Sequence, residues 1–235
     1  MKTIGLLGGM SFESTISYLR DIHAGVRAGL GGQHSPRILM ESVDFADLDA
    51  CLAANDWDGV AGLLCPAAVR VASAGADFLL LCSNTVHNVY NAVAAAVPIP
   101  VVHIADAAAR GVTAAGLSRV GLLGTRATME MDFYAGWLAR RHGIEVLVPG
   151  AADRALVHRV IFEELCRGRI EAASRREYER VVGELASRGA QGVILGCTEI
   201  AMLLPPAESE LPLFDTAALH AAMAVDLALD KGGRA

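Results

Sequence analysis

Short aliphatic runs that end in glycine or a polar residue alternate along the chain with alanine-rich stretches of helical length. That alternation predicts the β-α-β-α rhythm of parallel sheets covered by helices. Strands are expected at Thr3–Leu7, Arg37–Val43, Phe78–Cys82, Val101–His103, Arg119–Leu123, Glu145–Val148, Gly192–Leu195 and Pro212–Phe214. The helix after the first strand is expected to start near Ser11, a residue suited to capping, and to stop near Gly29 or Gly31-Gly32. Charged amphipathic helices are expected over Asp153–Arg167 and Ser174–Arg188.

Two segments repeat. Gly5-Leu6-Leu7-Gly8 returns as Gly121-Leu122-Leu123-Gly124, an offset of 116 residues. Gly75-Ala76 before the aliphatic run Phe78–Leu81 returns as Gly189-Ala190 before Gly192–Leu195, an offset of 114 residues. Two matches in one order at nearly one spacing imply duplicated halves. The fold class expected is α/β, with two pseudo-symmetric lobes, each a parallel sheet flanked by helices. The first lobe is placed at residues 1–99 with a return at 212–235, the second at 100–211. No Ser/Gly/Pro-rich linker separates them, and a cleft between such lobes suits a small ligand.

Composition narrows the choice of ligand. The chain has 235 residues, is 53% hydrophobic but only 5% aromatic, and carries a net charge of -6. The charge is dispersed, with no basic block or basic-aromatic interleaving, so a small molecule rather than nucleic acid is the expected partner. Neither the N-terminal apolar run nor the segment Ala92–Val102, broken by Pro98 and Pro100, is long enough to cross a bilayer. A soluble, cytoplasmic protein without membrane contact is expected. Cys51, Cys65, Cys82, Cys166 and Cys197 show neither Cys-x-x-Cys nor Cys/His ligand spacing, so neither a disulfide framework nor a metal site is indicated.

In parallel sheets, ligands bind beyond the carboxyl ends of the strands. Three strand ends carry polar groups there: Gly8-Gly9-Met10-Ser11, Cys82-Ser83-Asn84-Thr85-Val86-His87 and Gly196-Cys197-Thr198-Glu199. The first lacks nucleotide-loop spacing, but a glycine pair before a helix can either present N–H groups to a carboxylate or simply form a tight turn. The repeat aligns Ser83 with Cys197, Asn84 with Thr198 and Thr85 with Glu199. Cys197, between a strand and an expected helix, has the setting in which a thiol is acidified.

Ile4 to Thr15, Asn84-Thr85-Val86-His87 and Leu195-Gly196-Cys197-Thr198-Glu199-Ile200 together resemble the aspartate/glutamate racemase family. Val102–Asp106, Gly121–Thr125 and Phe214-Asp215-Thr216 extend the resemblance over nearly the whole chain. It implies a two-lobed α/β fold with the active site between lobes, usually dimeric, using neither pyridoxal phosphate nor metal. It also implies a base and an acid on opposite faces of the substrate Cα, normally two cysteines, one from each lobe. Glu199 after Gly-Cys-Thr is similar to the aspartate-racemase branch, and to its broad or L-specific aspartate/glutamate subgroup. On this resemblance the catalytic pair is Cys197 and Ser83. Gly9, Met10, Ser11, Asn84, Thr85, Thr198 and Glu199 are the substrate-binding candidates.

Two departures stand out. The family pattern has Cys directly before Asn-Thr-x-His, whereas here that residue is Ser83 and the cysteine, Cys82, lies one position earlier. Neighbouring strand residues face opposite sides, so Ser83 is assigned to the site and Cys82 to the core, with the reverse as the alternative. A hydroxyl is a much weaker acid than a thiol, so exchange on the Cys197 face is expected to outpace full inversion. Leu48 and Cys166 stand where archaeal-type aspartate racemases have basic residues; Arg167 is either a substitute or a surface residue. His87, four residues along an expected helix, supports the first strand end, polarises Ser83, or is simply a satisfied structural histidine. His103, Asp215 and Thr216 are read as supporting residues, and Glu13 as a brace for the first helix. The competing functions are a related enolate-forming reaction, such as maleate isomerisation or arylmalonate decarboxylation, and a non-catalytic carboxylate-binding protein.

Overall fold

The computed structural model describes residues 1–205 and 209–230, so residues 231–235 of the expected C-terminal return lie outside it. Its eight strands are β1 (Thr3–Gly8), β2 (Arg37–Ser42), β3 (Phe78–Leu81), β4 (Val101–Val102), β5 (Arg119–Gly124), β6 (Glu145–Leu147), β7 (Val193–Gly196) and β8 (Leu213–Asp215). They form two four-stranded sheets of order β2-β1-β3-β4 and β6-β5-β7-β8, with every pairing parallel. All eight fall where the hydrophobic pattern expects them, to within a residue or two at each end.

The helices are α1 (Phe12–Leu30), α2 (Phe45–Ala53), α3 (Trp57–Ser73), α4 (Tyr90–Ala96), α5 (Ile104–Ala114), α6 (Arg126–Glu130), α7 (Asp132–His142), α8 (Ala151–Glu163), α9 (Ala172–Ser187), α10 (Ile200–Leu203) and α11 (Thr216–Ala228). Ser11 caps α1 as expected, its hydroxyl accepting the Ser14 N–H, and Gly31 ends that helix. The expected helix over Asp153–Arg167 divides into α8 and a 3-10 turn at Leu165–Arg167. No helix among the described residues is long and apolar enough to cross a membrane.

The repeated motifs have matching structural causes. A Cβ on Gly5 would lie 2.9 Å from Val71 of α3, and one on Gly121 would lie 2.8 Å from Leu185 of α9. The first glycine of each Gly-Leu-Leu-Gly therefore lets the helix packed on that sheet approach its central strand. Gly75 and Gly189 hold φ values of 104° and 92° just beyond α3 and α9, turning the chain into the next strand through a conformation that disfavours side chains. Each sheet has its own apolar core, with Leu7, Leu64, Leu79 and Leu81 in one and Leu123, Val181, Leu185 and Leu195 in the other.

The chain divides into a first unit, Met1–Ile104 with His220 onwards, and a second, Ala105–Leu219. These limits differ from the expected 1–99 with 212–235 and 100–211. The physical reason lies in the ladders. β4 extends the first sheet through Leu80↔Val102, and β8 extends the second through Leu195↔Asp215. Only the helix after each of these short strands changes unit. In the first unit a Cβ on Gly25 of α1 would meet Val225 of α11 at 2.9 Å.

His220 of α11 is fully buried in the first unit, accepting the Tyr18 hydroxyl at Nδ1 (2.8 Å) and donating from Nε2 to the Val102 carbonyl (3.1 Å). Burial lowers its pKa from 6.5 to about 3. The folded state thus holds it neutral while the unfolded chain takes up a proton below 6.5. Its contribution falls as the pH falls from 6.5 towards 3, by about 1.4 kcal/mol per pH unit at full slope. Urea unfolding at pH 7 and pH 5 is expected to show a smaller acid destabilisation in His220→Gln than in the unaltered chain.

Candidate active site

Because every strand in each sheet runs the same way, the three candidate segments lie at carboxyl ends. β1 pairs with β3 through Leu7↔Leu81, which brings the Gly8–Ser11 and Cys82–Thr85 segments to one edge of the first sheet. β5 pairs with β7 through Gly124↔Gly196, which sets Cys197 beside Thr125 in the second. A Cβ on Gly196 would lie 2.9 Å from the Leu123 carbonyl and 3.1 Å from Thr128, so the backbone before Cys197 is closely held.

In the first unit, Gly9 has φ 83°, and a Cβ there would lie 2.3 Å from the Val43 carbonyl oxygen. Its N–H donates to Thr15 Oγ1 at 2.9 Å, and that hydroxyl in turn donates to the Ser11 carbonyl at 3.0 Å. The Gly9 N–H therefore serves the turn, a departure from the expectation that it faces a ligand. The N–H groups of Met10 and Ser11 belong to no helix or strand ladder and precede the first turn of α1. Ser11 itself has φ 126°, a strained value for a residue with a side chain. Thr15, buried behind the turn, had no sequence signal beyond its place in the first motif.

At the end of β3, Cys82 is 1% exposed, its backbone N–H bonded to the Leu7 carbonyl, and burial drives its thiol pKa far upward. Ser83 is half-buried, Asn84 buried and Thr85 half-buried at the start of a 3-10 turn, Thr85–Val89. His87 lies on that turn and donates from Nδ1 to the Ser83 carbonyl at 2.8 Å. Leu48 is buried in the first core and Arg167 is exposed on its 3-10 turn.

At the end of β7, the Cys197 thiol donates to Glu199 Oε2 at 2.9 Å, and the Thr198 hydroxyl donates to the same oxygen at 2.7 Å. Glu199 is only 3% exposed. Thr198 thus spends its hydrogen on Glu199. Burial raises the Cys197 pKa first, followed by the Glu199 charge and Cys166, while the Glu199 backbone N–H acts in the opposite sense. Burial and the neighbouring Glu199 charge act against the acidification expected of Cys197 from a following helix. α10 has four residues, too short for a substantial dipole, and a carboxylate receives the thiol. The pattern Cys-Thr-Glu placed Glu199 next to a ligand; the structure turns its carboxylate onto Cys197.

A family model described as Asp/Glu/Hydantoin racemase matches residues 7–224. The chain belongs to that family. A Yersinia pestis protein whose crystal structure is assigned to the Asp/Glu racemases is 48% identical, with a TM-score of 0.91 over 97% of this chain and 100% of that one. An aspartate racemase homologue from Pyrococcus horikoshii OT3 is 32% identical, with a TM-score of 0.83 over 97% of this chain and 100% of that one. A broad specificity amino-acid racemase of Bacillus subtilis (strain 168) is 24% identical over 92% of this chain and 93% of its own.

The thiol-carboxylate pair gives a direct test. Iodoacetamide labelling of Cys197, followed across pH by mass spectrometry, is expected to have its midpoint above the ordinary thiol value of 9.0. Glu199→Gln removes the neighbouring negative charge and is expected to move that midpoint down. An unchanged midpoint would show that Glu199 does not control the thiol.

Proposed function

We propose that this chain is a cofactor-independent racemase of acidic amino acids, aspartate or glutamate, in which Cys197 and Ser83 exchange the α-proton on its two faces. The observation that carries the reading is the Cys197 thiol hydrogen-bonded to buried Glu199 at a carboxyl strand end, matched in the repeat by Ser83 at the end of β3. Inversion needs one group on each face, since a single group would return the proton to the side it left. Duplicated sheets supply two such groups.

In the reaction, Glu199 accepts the thiol proton, and the Cys197 thiolate, steadied by the Glu199 backbone N–H, takes the substrate α-proton. The negative charge that develops on the substrate carboxylate is met by N–H groups at Met10 and Ser11, with Asn84 and Thr85 as further polar contacts. Ser83 then gives its hydroxyl proton to Cα from the other face and recovers one from solvent, while Glu199 releases to solvent the proton it took from the thiol, so that Cys197 keeps the substrate proton and each group returns to its starting state. Because the hydroxyl is the poorer acid and the poorer base, the Ser83 step is the slower of the two. Cys82, buried in the core, is left outside the reaction. The same reading carries a homodimer, a cytoplasmic location, and no nucleic-acid or membrane partner.

A chiral assay over both enantiomers of aspartate and glutamate tests this. Cys197→Ser is expected to lower kcat by about 10²-fold or more, and Ser83→Cys to raise the slower direction. Full activity in Cys197→Ser would refute the reading. Tight binding of an acidic amino acid with no inversion in any variant would favour a non-catalytic binding protein.

A further inference from the structure

Behind Ser83 lies a group of buried rings that the reaction above does not use. His87 is 2% exposed, with its ring centroid 4.6 Å from that of His103, 6.1 Å from His220 and 6.2 Å from Tyr90, the last nearly parallel to it. Tyr90 lies 4.6 Å from His103 and donates its hydroxyl to the Val101 carbonyl at 2.9 Å. These rings come from the turn after β3, the start of α4, the residue after β4 and α11, all in the first unit.

The two nitrogens of His87 have unlike partners. Nδ1 lies 2.8 Å from the Ser83 carbonyl oxygen, which can only accept, so Nδ1 carries a hydrogen. Nε2 receives the Ile104 N–H at 3.1 Å, so Nε2 carries none. Only the neutral Nδ1–H tautomer satisfies both bonds. A protonated ring would turn a hydrogen towards the Ile104 N–H, and the other tautomer would break both contacts. The ring therefore ties the backbone of Ser83 to the first residue of α5.

We propose that His87 is the positioning residue of Ser83: its neutral Nδ1–H tautomer fixes the Ser83 carbonyl, and with it the direction of the reacting hydroxyl. This rests on the reading of Ser83 as a proton-exchanging group. Ser83 follows a strand by two residues and precedes a 3-10 turn, so this bond restrains rotation of its peptide on the far side. Small misplacement of a reacting group lowers turnover more than it lowers binding.

Two amide substitutions separate the two bonds. In His87→Asn the side-chain N–H₂ reaches the place of Nδ1 and preserves the bond to Ser83. In His87→Gln the side-chain oxygen reaches the place of Nε2 and preserves only the bond from Ile104. The expected result is a kcat near that of the unaltered chain for His87→Asn. For His87→Gln, kcat is expected to fall by about 10²-fold with little change in KM. Equal loss of kcat in both variants, or a loss confined to KM, would overturn the proposal. Nitrogen-15 NMR of histidine-labelled, unsubstituted protein at pH 7 is a second readout that needs neither variant nor turnover. An Nδ1–H signal for His87 is expected, and an Nε2–H or doubly protonated ring would overturn the assignment. Because that readout does not depend on racemisation, failure of the racemase reading would show in the Cys197→Ser assay and leave the tautomer result standing.

Discussion

In a parallel ladder all strands point their carboxyl ends the same way, so a pairing register also decides which loops share an edge. Leu7↔Leu81 brings the Met10–Ser11 amides and Ser83 to one edge of the first sheet, and Leu123↔Leu195 brings Cys197 to the corresponding edge of the second. Both registers rely on glycine in the central strands. Gly5 and Gly121 admit α3 and α9 so closely that a methyl group would collide, and the two apolar cores form around those contacts. Other parts of the site are built outward from these strand ends.

The repeated frame is filled with different chemistry. On the first sheet, the backbone beside Ser83 is held by a neutral histidine within a group of buried rings. On the second, the Thr216 hydroxyl donates to the Leu195 carbonyl at 2.8 Å, two residues before Cys197. The reactive groups differ as well. Burying a carboxylate such as Glu199 is costly without partners, and its cost here is offset by hydrogen bonds from the thiol and from the Thr198 hydroxyl. The arrangement makes Cys197 a protonated donor with a base already in contact, whereas the Ser83 side has no corresponding carboxylate bond described.

The sequence disclosed the strands because each is a compact aliphatic run stopped by glycine or a polar residue, and it disclosed the duplication because the first glycine of each Gly-Leu-Leu-Gly does the same steric work. The unit limits were less legible. β4 and β8 are two and three residues long, and nothing in Val101-Val102 or Leu213–Asp215 records which sheet they join. Side-chain direction was least legible. Cys-Thr-Glu is equally compatible with a carboxylate facing a ligand or folded back onto the thiol, and burial, the Glu199 charge and the shortness of α10 all act against an acidified cysteine. The role of Thr15 depends on the strained turn Gly9–Ser11, and the tautomer of His87 depends on Ile104, 17 residues away.

If Cys197 and Ser83 are unequal partners, deuterium incorporation at Cα reads the difference directly. Each enantiomer of aspartate and glutamate is incubated in heavy water, with exchange and inversion followed together. One enantiomer is expected to gain deuterium faster than it inverts, and Cys197→Ser to abolish this exchange. Equal exchange from both enantiomers, or exchange that persists in Cys197→Ser, would contradict that inequality.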